Sequence, residues 1–379
     1  MTVRVAFIDG VVLDYRVPFL AALRDRVDVL GVFAWDISSA TREALTRVDI
    51  EVHVLRHVSF KRTWRHPAGF AEPLPLVVAL GISSALASYR PTVVVSGDLG
   101  LRTMAAARYC RRGAVPLVLW IRMSEHSERG RSRAQQLARP VILERASRMI
   151  VNGTSGRDYL RSLGAQTSRI KVVHQAVNPA AVASAAERCP TTGPTQLLAT
   201  GRLVQSKGLH LLFDSLNSLP RDRWRLTVAG DGYFRHDLEQ QAQRYELPVE
   251  FVGMQQPGEL ARLLCNSDFL VHPSLSDEWA LVVGEALASG VPVLGSVYAQ
   301  AVTELVRKNV NGYTFCPDDR HAVVHAVDWA TGVDVVRWRE LSVAACASAK
   351  HLRPDIVADS FAHVLHEAAD ERRTADGKR

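Results

Sequence analysis

The sequence predicts an α/β protein of two doubly wound domains in series, and three observations carry the prediction. Short apolar runs alternate with stretches of helical periodicity from end to end. The runs are apolar at nearly every position, as strands covered on both faces are. The alternation lapses once, around 178–195, and then starts again. At 379 residues the chain also exceeds the size at which one core usually stops growing.

In the first half the candidate strands are Val3–Ile8, Val27–Ala34, Ile50–Leu55, Thr92–Ser96, Leu117–Arg122, Met149–Asn152 and Lys171–Val173. Helical periodicity fills most intervals, as in 100–112. Asn178-Pro179 and the stretch from Cys189-Pro190 through Gly193-Pro194 break the pattern and read as a linker. This places an N-terminal domain at 1–180 and a C-terminal one at 190–350. The second half then offers strands at Gln196–Thr200, Arg225–Ala229, Glu250–Val252, Phe269–His272 and Val291–Leu294. Stretches at about 334–350 and 354–371 read as helices, the latter expected to pack back on the first domain. Glu371 to Arg379 is charged and expected to fray. Ligands of such sheets sit at the carboxyl ends of the strands, and two facing domains would make a cleft there.

Composition narrows the class. Apolar content of 47% and a mean hydropathy near zero describe a water-soluble globular protein. Met1-Thr-Val-Arg-Val leads straight into a strand-like pattern without the features of a secretory signal. No apolar run reaches the roughly 20 residues of a membrane span. Cys110, Cys189, Cys265, Cys316 and Cys346 are scattered, with no C-x-x-C pair, and read as reduced packing thiols. A cytoplasmic location is the expectation.

Charge is unevenly placed. Residues 1–180 hold 26 Lys and Arg against 14 Asp and Glu, while the remainder holds 20 against 25. Arginine is dense between Arg102 and Arg148. A basic half attracts anions: a phosphorylated or acidic acceptor, or the anionic inner face of a membrane. Nucleic acid is not expected, since no helix-turn-helix, finger or stacking pattern accompanies the charge.

The second half carries the chemistry. Gly201-Arg202-Leu-Val-Gln-Ser-Lys207-Gly208 follows its first strand: Gly201 allows a turn, and Arg202 and Lys207 bring a planar fork and a point charge toward one place, a clamp for a diphosphate. Gly230-Asp231-Gly232 ends the next strand and reads as a turn, with Asp231 placed to cap the following helix. Residues 273–295 hold two carboxylates eight positions apart, Asp277 and Glu285, separated by Trp279, Ala280 and Leu281. A helix containing Glu285 should stop at Gly290. Such a loop running into a helix N-terminus suits a polyhydroxylated, phosphate-bearing ligand: amides take the anion and carboxylates accept from hydroxyls. Glu304 either touches that ligand or sits at a helix start, where a carboxylate is favoured.

The ordered series closely resembles the second domain of the retaining nucleotide-sugar glycosyltransferases of family 4, over about 195–320. That family's GT-B fold has two Rossmann-like domains facing across a cleft. The resemblance implies donor binding in the C-terminal domain and an acceptor site in the N-terminal one. Arg202 and Lys207 would hold the diphosphate of a UDP- or GDP-sugar, beside the Gly201 turn, and Glu285 the ribose hydroxyls. Asp277 would face the transferred sugar, and the amides near Trp279, Ala280 and Leu281 the sugar or phosphate. It further implies transfer with retention to a hydroxyl acceptor, the leaving phosphate helping to take the proton, so that no dedicated nucleophile is demanded. No cofactor or metal is expected, in line with the lack of any Asp-x-Asp triplet. The acceptor expected from the basic first half is a lipid-linked or anionic glycan precursor, with peripheral contact to an anionic membrane.

The chain departs from the family pattern in places. Asp277 stands where Glu is usual and Ala280 where Gly is common. In the first domain Gly10 alone represents the paired glycines after strand one, followed by Tyr15-Arg16-Val17-Pro18. The family's frequent histidine after the Leu117–Arg122 strand is represented at best by His126, beside Glu125; a structural role fits it as well. Asp98 is a further candidate, with helix capping as the plainer role. Two other classes remain on the same architecture, a nucleotide-sugar 2-epimerase and a non-catalytic nucleotide-sugar-binding protein. An NAD dehydrogenase is disfavoured because no G-x-G-x-x-G follows a first strand.

Overall fold

The structure is a computed structural model that describes residues 2–131, 133–184 and 193–376. The chain divides into two compact units. One comprises residues up to Trp64, Pro73–Gln175 and the chain from Pro354 on; the other comprises Arg65–Glu72 and Ala176–Arg353. Residues 185–192 of the stretch read as a linker, including Cys189 and Pro190, lie outside the described residues.

The first unit is built on a seven-stranded parallel sheet. Its chain elements are β1 (Arg4–Ile8), β2 (Val11–Val12), β3 (Val29–Ala34), β4 (Asp36–Ile37), β5 (Glu51–Val54), β6 (His57–Phe60), β7 (Thr63–His66), β8 (Phe70–Pro73), β9 (Leu76–Ala79), β10 (Val93–Ser96), β11 (Leu117–Ile121), β12 (Arg148–Val151) and β13 (Ile170–Val172). The sheet order is β13-β12-β11-β10-β1-β3-β5. From β1 the chain builds outward to β3 and β5, then returns to lay β10 on the other side of β1. The direction of winding therefore switches between β1 and β10. β10 and β11 are buried at every residue, which is why they read as unbroken apolar runs.

Helix Pro354–Asp376 belongs to this unit and runs five residues past the end expected for it, so that residues 371–376 are helical rather than frayed. Phe361 anchors it. Its ring lies 5.3 Å from Phe19 and 5.7 Å from Trp120, and it is 1% exposed. Burial of a side chain that size contributes about 2–3 kcal/mol. Arg148 fixes the far end, with Nε 3.3 Å from Glu367.

Two features of the first half have no counterpart in the sequence reading. β6 and β9 pair antiparallel as a ribbon, and β7 and β8 pair beyond it, with residues 65–72 grouping with the second unit. β9 closes this ribbon, and helix Ile82–Tyr89 follows it after two residues.

The second unit carries β14 (Thr195–Thr200), β15 (Trp224–Ala229), β16 (Val249–Gly253), β17 (Phe269–His272), β18 (Val293–Ser296) and β19 (Gly312–Phe315). Their order, β16-β15-β14-β17-β18-β19, is parallel throughout and repeats the winding of the first unit, with its switch between β14 and β17. Trp224, Phe213 and Phe269 fill one side of the sheet, each buried. β19 has no counterpart among the expected strands, and the turn before it ends at Asn311. Gly312 is instead the first strand residue, and a Cβ there would lie 2.1 Å from the Val293 carbonyl oxygen. Close backbone approach, not a turn, is what requires glycine.

Candidate active site

In open parallel sheets ligands bind beyond the carboxyl ends of the strands where the winding reverses. In the second unit that point lies between the loops after β14 and β17, which hold the Gly201–Gly208 and Pro273–Ala280 segments. The two loops interlock through their backbones. Leu275 N–H donates to the Ser206 carbonyl at 2.7 Å, and the buried Ser274 hydroxyl donates to the same oxygen at 3.1 Å. Gly208 has φ +70°, and a Cβ there would lie 2.1 Å from the Pro273 carbonyl oxygen, so no larger residue fits. Ser206 N–H in turn donates to Glu72 Oε1 at 3.1 Å. Gly230 supports the Gly201 turn from the side, since a Cβ at Gly230 would fall 1.9 Å from the Gly201 carbonyl oxygen. Asp231 does not cap a helix as expected: its carboxylate accepts from Gly232 N–H at 2.7 Å, and helix Arg235–Arg244 starts later, from Phe234.

This framework brings Lys207 and Asp277 together. The ammonium donates to Asp277 Oδ2, the two side chains being 20% and 10% exposed. His272 Nε2, at the end of β17, lies 3.3 Å from the same oxygen, and the Trp279 N–H donates to Oδ1 at 3.1 Å. Burial alone would raise the Asp277 pKa; Lys207 and His272 outweigh it and hold the carboxyl well below the usual range. Asp277 is therefore an anion at any working pH, and it holds the Lys207 side chain in place. Arg202 stands beside them on the β14 loop, exposed and without an ion-pair partner among the described residues, and lines one recess with Lys207, His272 and Pro273.

Downstream, Ala280 has φ −79° and ψ 98°, an extended conformation open to any residue, so alanine replaces glycine without strain. Leu281 opens helix Leu281–Ala288, whose N-cap residue, Ala280, offers no side-chain hydrogen bond to the first turn. Glu285 sits inside this helix, 6% exposed. Burial pushes its pKa from 4.5 up to about 7, against a smaller opposing pull from the Asn178 backbone N–H. The helix ends as expected, with Gly290 at φ +71°. Glu304 lies in the last turn of helix Gln300–Leu305, not at a helix start, so the helix-start explanation for it fails.

Gly10, Asp98 and His126 belong to the first unit. A Cβ at Gly10 would meet the Trp35 ring at 2.4 Å, which gives that glycine a packing reason. Asp98 accepts from Gly100 N–H and from the Thr103 hydroxyl near the start of helix Leu101–Arg112 and pairs with Arg102. His126 is half-buried in the turn after β11. Sequence reasoning missed His272 and Glu72. His272 was legible only as the last residue of a strand, which is where site residues of such sheets gather.

The architecture is that of the GT-B class. The chain superposes on the Anabaena HepE protein solved in complex with UDP with a TM-score of 0.76 at 18% identity, covering 96% of this chain and 100% of that one. Residues 187–331 match the family described as glycosyl transferases group 1. Over 254 residues the chain is 31% identical to the glycogen synthase of Mycobacterium tuberculosis, covering 63% of this chain and 60% of that protein. Over 273 residues it is 24% identical to the sulfoquinovosyl transferase of Arabidopsis thaliana, covering 67% and 52%. The chain thus spans less than two thirds of the length of these curated relatives. The matched segment, 187–331, contains every candidate from Gly201 to Glu304.

Proposed function

We propose that the protein is a retaining glycosyltransferase that moves a sugar from a UDP- or GDP-sugar to a hydroxyl acceptor without help from a metal. The observation that carries this reading is the Lys207–Asp277–His272 cluster, with Arg202 beside it, at the point where the second sheet reverses its winding. The matches to group 1 glycosyl transferases and to a protein solved with UDP support it.

The rate of such a transfer depends on stabilising the charge that develops on the departing nucleoside diphosphate. Arg202 offers a guanidinium with no competing ion-pair partner among the described residues, and Lys207 an ammonium already fixed by Asp277. The uncapped turn at Leu281 adds backbone donors, with Trp279 and Ala280 shaping its approach. Asp277, kept ionised, is suited to accept hydrogen bonds from hydroxyls of the transferred sugar. Glu285 is suited to the ribose: two vicinal hydroxyls donating to it favour its charged form, so donor binding should tighten as pH rises through about 7. The proton released by the acceptor goes to the leaving phosphate.

A thermal-shift panel of nucleotide sugars, with UDP and GDP alone as controls, tests the reading. At least one nucleotide should stabilise the protein, and Lys207→Ala or Glu285→Ala should abolish the shift. A panel with no stabilising nucleotide, or a shift kept in both variants, would overturn it.

A further inference from the structure

The antiparallel β6–β9 ribbon of the first unit takes no part in the site described above. Its register sets Val58 opposite Val78 and Phe60 opposite Leu76, and backbone bonds from Leu80 N–H to the Arg56 carbonyl and from Leu74 N–H to that of Arg62 extend the pairing at both ends. Side chains alternate across a strand, so Arg56, Val58, Phe60 and Arg62 share one face with Leu74, Leu76, Val78 and Leu80. The opposite face turns toward the unit's own core. Ala79 packs against the cluster that holds Leu55 and Ile82, and the His57 ring lies 6.3 Å from that of Trp35. The first face is left bare: Phe60 is 54% exposed, Leu80 46%, Val58 45% and Leu76 38%. A soluble chain seldom leaves so many large apolar side chains together in water without a partner for them.

The chemistry of the face selects that partner. It is apolar in the middle and basic at both ends. Arg56 and Arg62 are exposed, as is the neighbouring Lys61, and none of the three makes an ion pair among the described residues. No Asp or Glu occurs at 52–64 or 73–97. A second copy of the chain seated face to face on the ribbon would oppose like charges with no carboxylate to answer them. A bilayer surface with anionic headgroups answers both parts at once. Its headgroups take the guanidiniums, and its acyl boundary takes Phe60 and the aliphatic side chains without any need for shape complementarity. Helix Leu101–Arg112 lies against β9 and has the same make-up, with Leu101 and Met104 exposed and the exposed Arg108 one turn further on.

We infer that this ribbon face docks the protein on a membrane surface that carries anionic lipid. Phe60 and its aliphatic neighbours enter the boundary between headgroups and acyl chains, while Arg56 and Arg62 bind lipid phosphates. Charge alone led to the expectation of peripheral membrane contact somewhere on the first half; the ribbon gives that contact a place and an apolar component. None of these residues belongs to the donor site, so the docking face is independent of the transfer reading.

Co-sedimentation of the full chain with vesicles tests it, using phosphatidylcholine alone and phosphatidylcholine with about one third phosphatidylglycerol. The protein should bind the anionic vesicles, bind the neutral ones far less, and be released as salt rises. Phe60→Ser should weaken binding about tenfold, and Arg56→Gln and Arg62→Gln about fivefold each. Arg262→Gln, which removes an exposed arginine of the second unit, should leave binding unchanged. All four side chains are exposed, so melting temperatures should match that of the unmodified protein; Val58→Ser is the second apolar variant if Phe60→Ser melts early. Failure to bind the anionic vesicles overturns the inference. So does binding that is not weakened both by the apolar variant and by at least one of Arg56→Gln and Arg62→Gln, or that falls as much in Arg262→Gln. A concentration-dependent dimer in sedimentation velocity that Phe60→Ser disperses would overturn it too, because a second copy would then cover the face.

Discussion

The two units wind their sheets in the same order but treat the buried carboxylate at the switch point in opposite ways. In the first unit Asp9 is outnumbered by Arg16, Arg102 and Arg122. In the second, Asp277 is matched by one lysine and one histidine, while a second carboxylate, Glu285, is buried without a cation. One topology thus presents a cationic cluster in one half and an acid-lined site in the other. The difference is carried by residues at and beyond the carboxyl ends of the strands, where rigid sheets position variable connections.

The sharpest way to break the comparison is Lys207→Ala. If the ammonium carries leaving-group charge, transfer should fall by about 10²- to 10³-fold. A coupled assay of nucleoside diphosphate release checks this, and a loss under tenfold would remove Lys207 from the site. Next comes Arg16→Met, which deprives the buried Asp9 of its nearest partner. Leaving a buried charge unpaired costs about 3–5 kcal/mol, readable by urea unfolding, and adding Asp9→Asn should recover most of it. Lys207→Ala should cost less stability than this, because His272 remains beside Asp277.

Glu285 separates the two acids of the second unit by sign. Its pKa in the folded chain is raised to about 7 from an ordinary 4.5. Its contribution to stability is therefore fullest below pH 4.5 and is lost as pH rises to about 7. The change is about 3 kcal/mol. Asp277 behaves oppositely, its contribution present at neutral pH and lost only in strong acid. Glu285→Gln should flatten the fall between those pH values and raise stability at pH 8, while weakening UDP binding. An unchanged pH profile would show that Glu285 does not titrate there. The smallest effect is a baseline: Asp334→Ala removes the cap that accepts from Arg337 N–H at 2.7 Å and should cost about 1 kcal/mol with no change in nucleotide affinity.

Much of this was legible in the chain because buried parallel strands leave unbroken apolar runs. Phe269–His272 and Val93–Ser96 are such runs, and glycine and arginine at the ends of others mark the loops that matter. What stayed hidden has physical reasons. The β6–β9 ribbon is largely exposed, with Val58 and Phe60 at 45% and 54%, so its apolar residues mark no core face. β19 begins with a glycine required by backbone contact, which imitates a turn. Val291 and Pro292 precede β18 as buried apolar residues, so the strand reads two residues early. His272 and the arginine cluster around Asp9 depend on loops from separate strands meeting in space, which no local spacing records.

The claim on which the rest depends is that the donor lies at the β14/β17 switch point of the second unit. A crystal structure of the full chain soaked with the nucleotide sugar that stabilises it most tests this directly. The account predicts the diphosphate within hydrogen-bonding reach of Arg202 and Lys207, with the ribose hydroxyls on Glu285. A nucleotide bound elsewhere, with Lys207 still paired to Asp277 and Glu285 unoccupied, would contradict it.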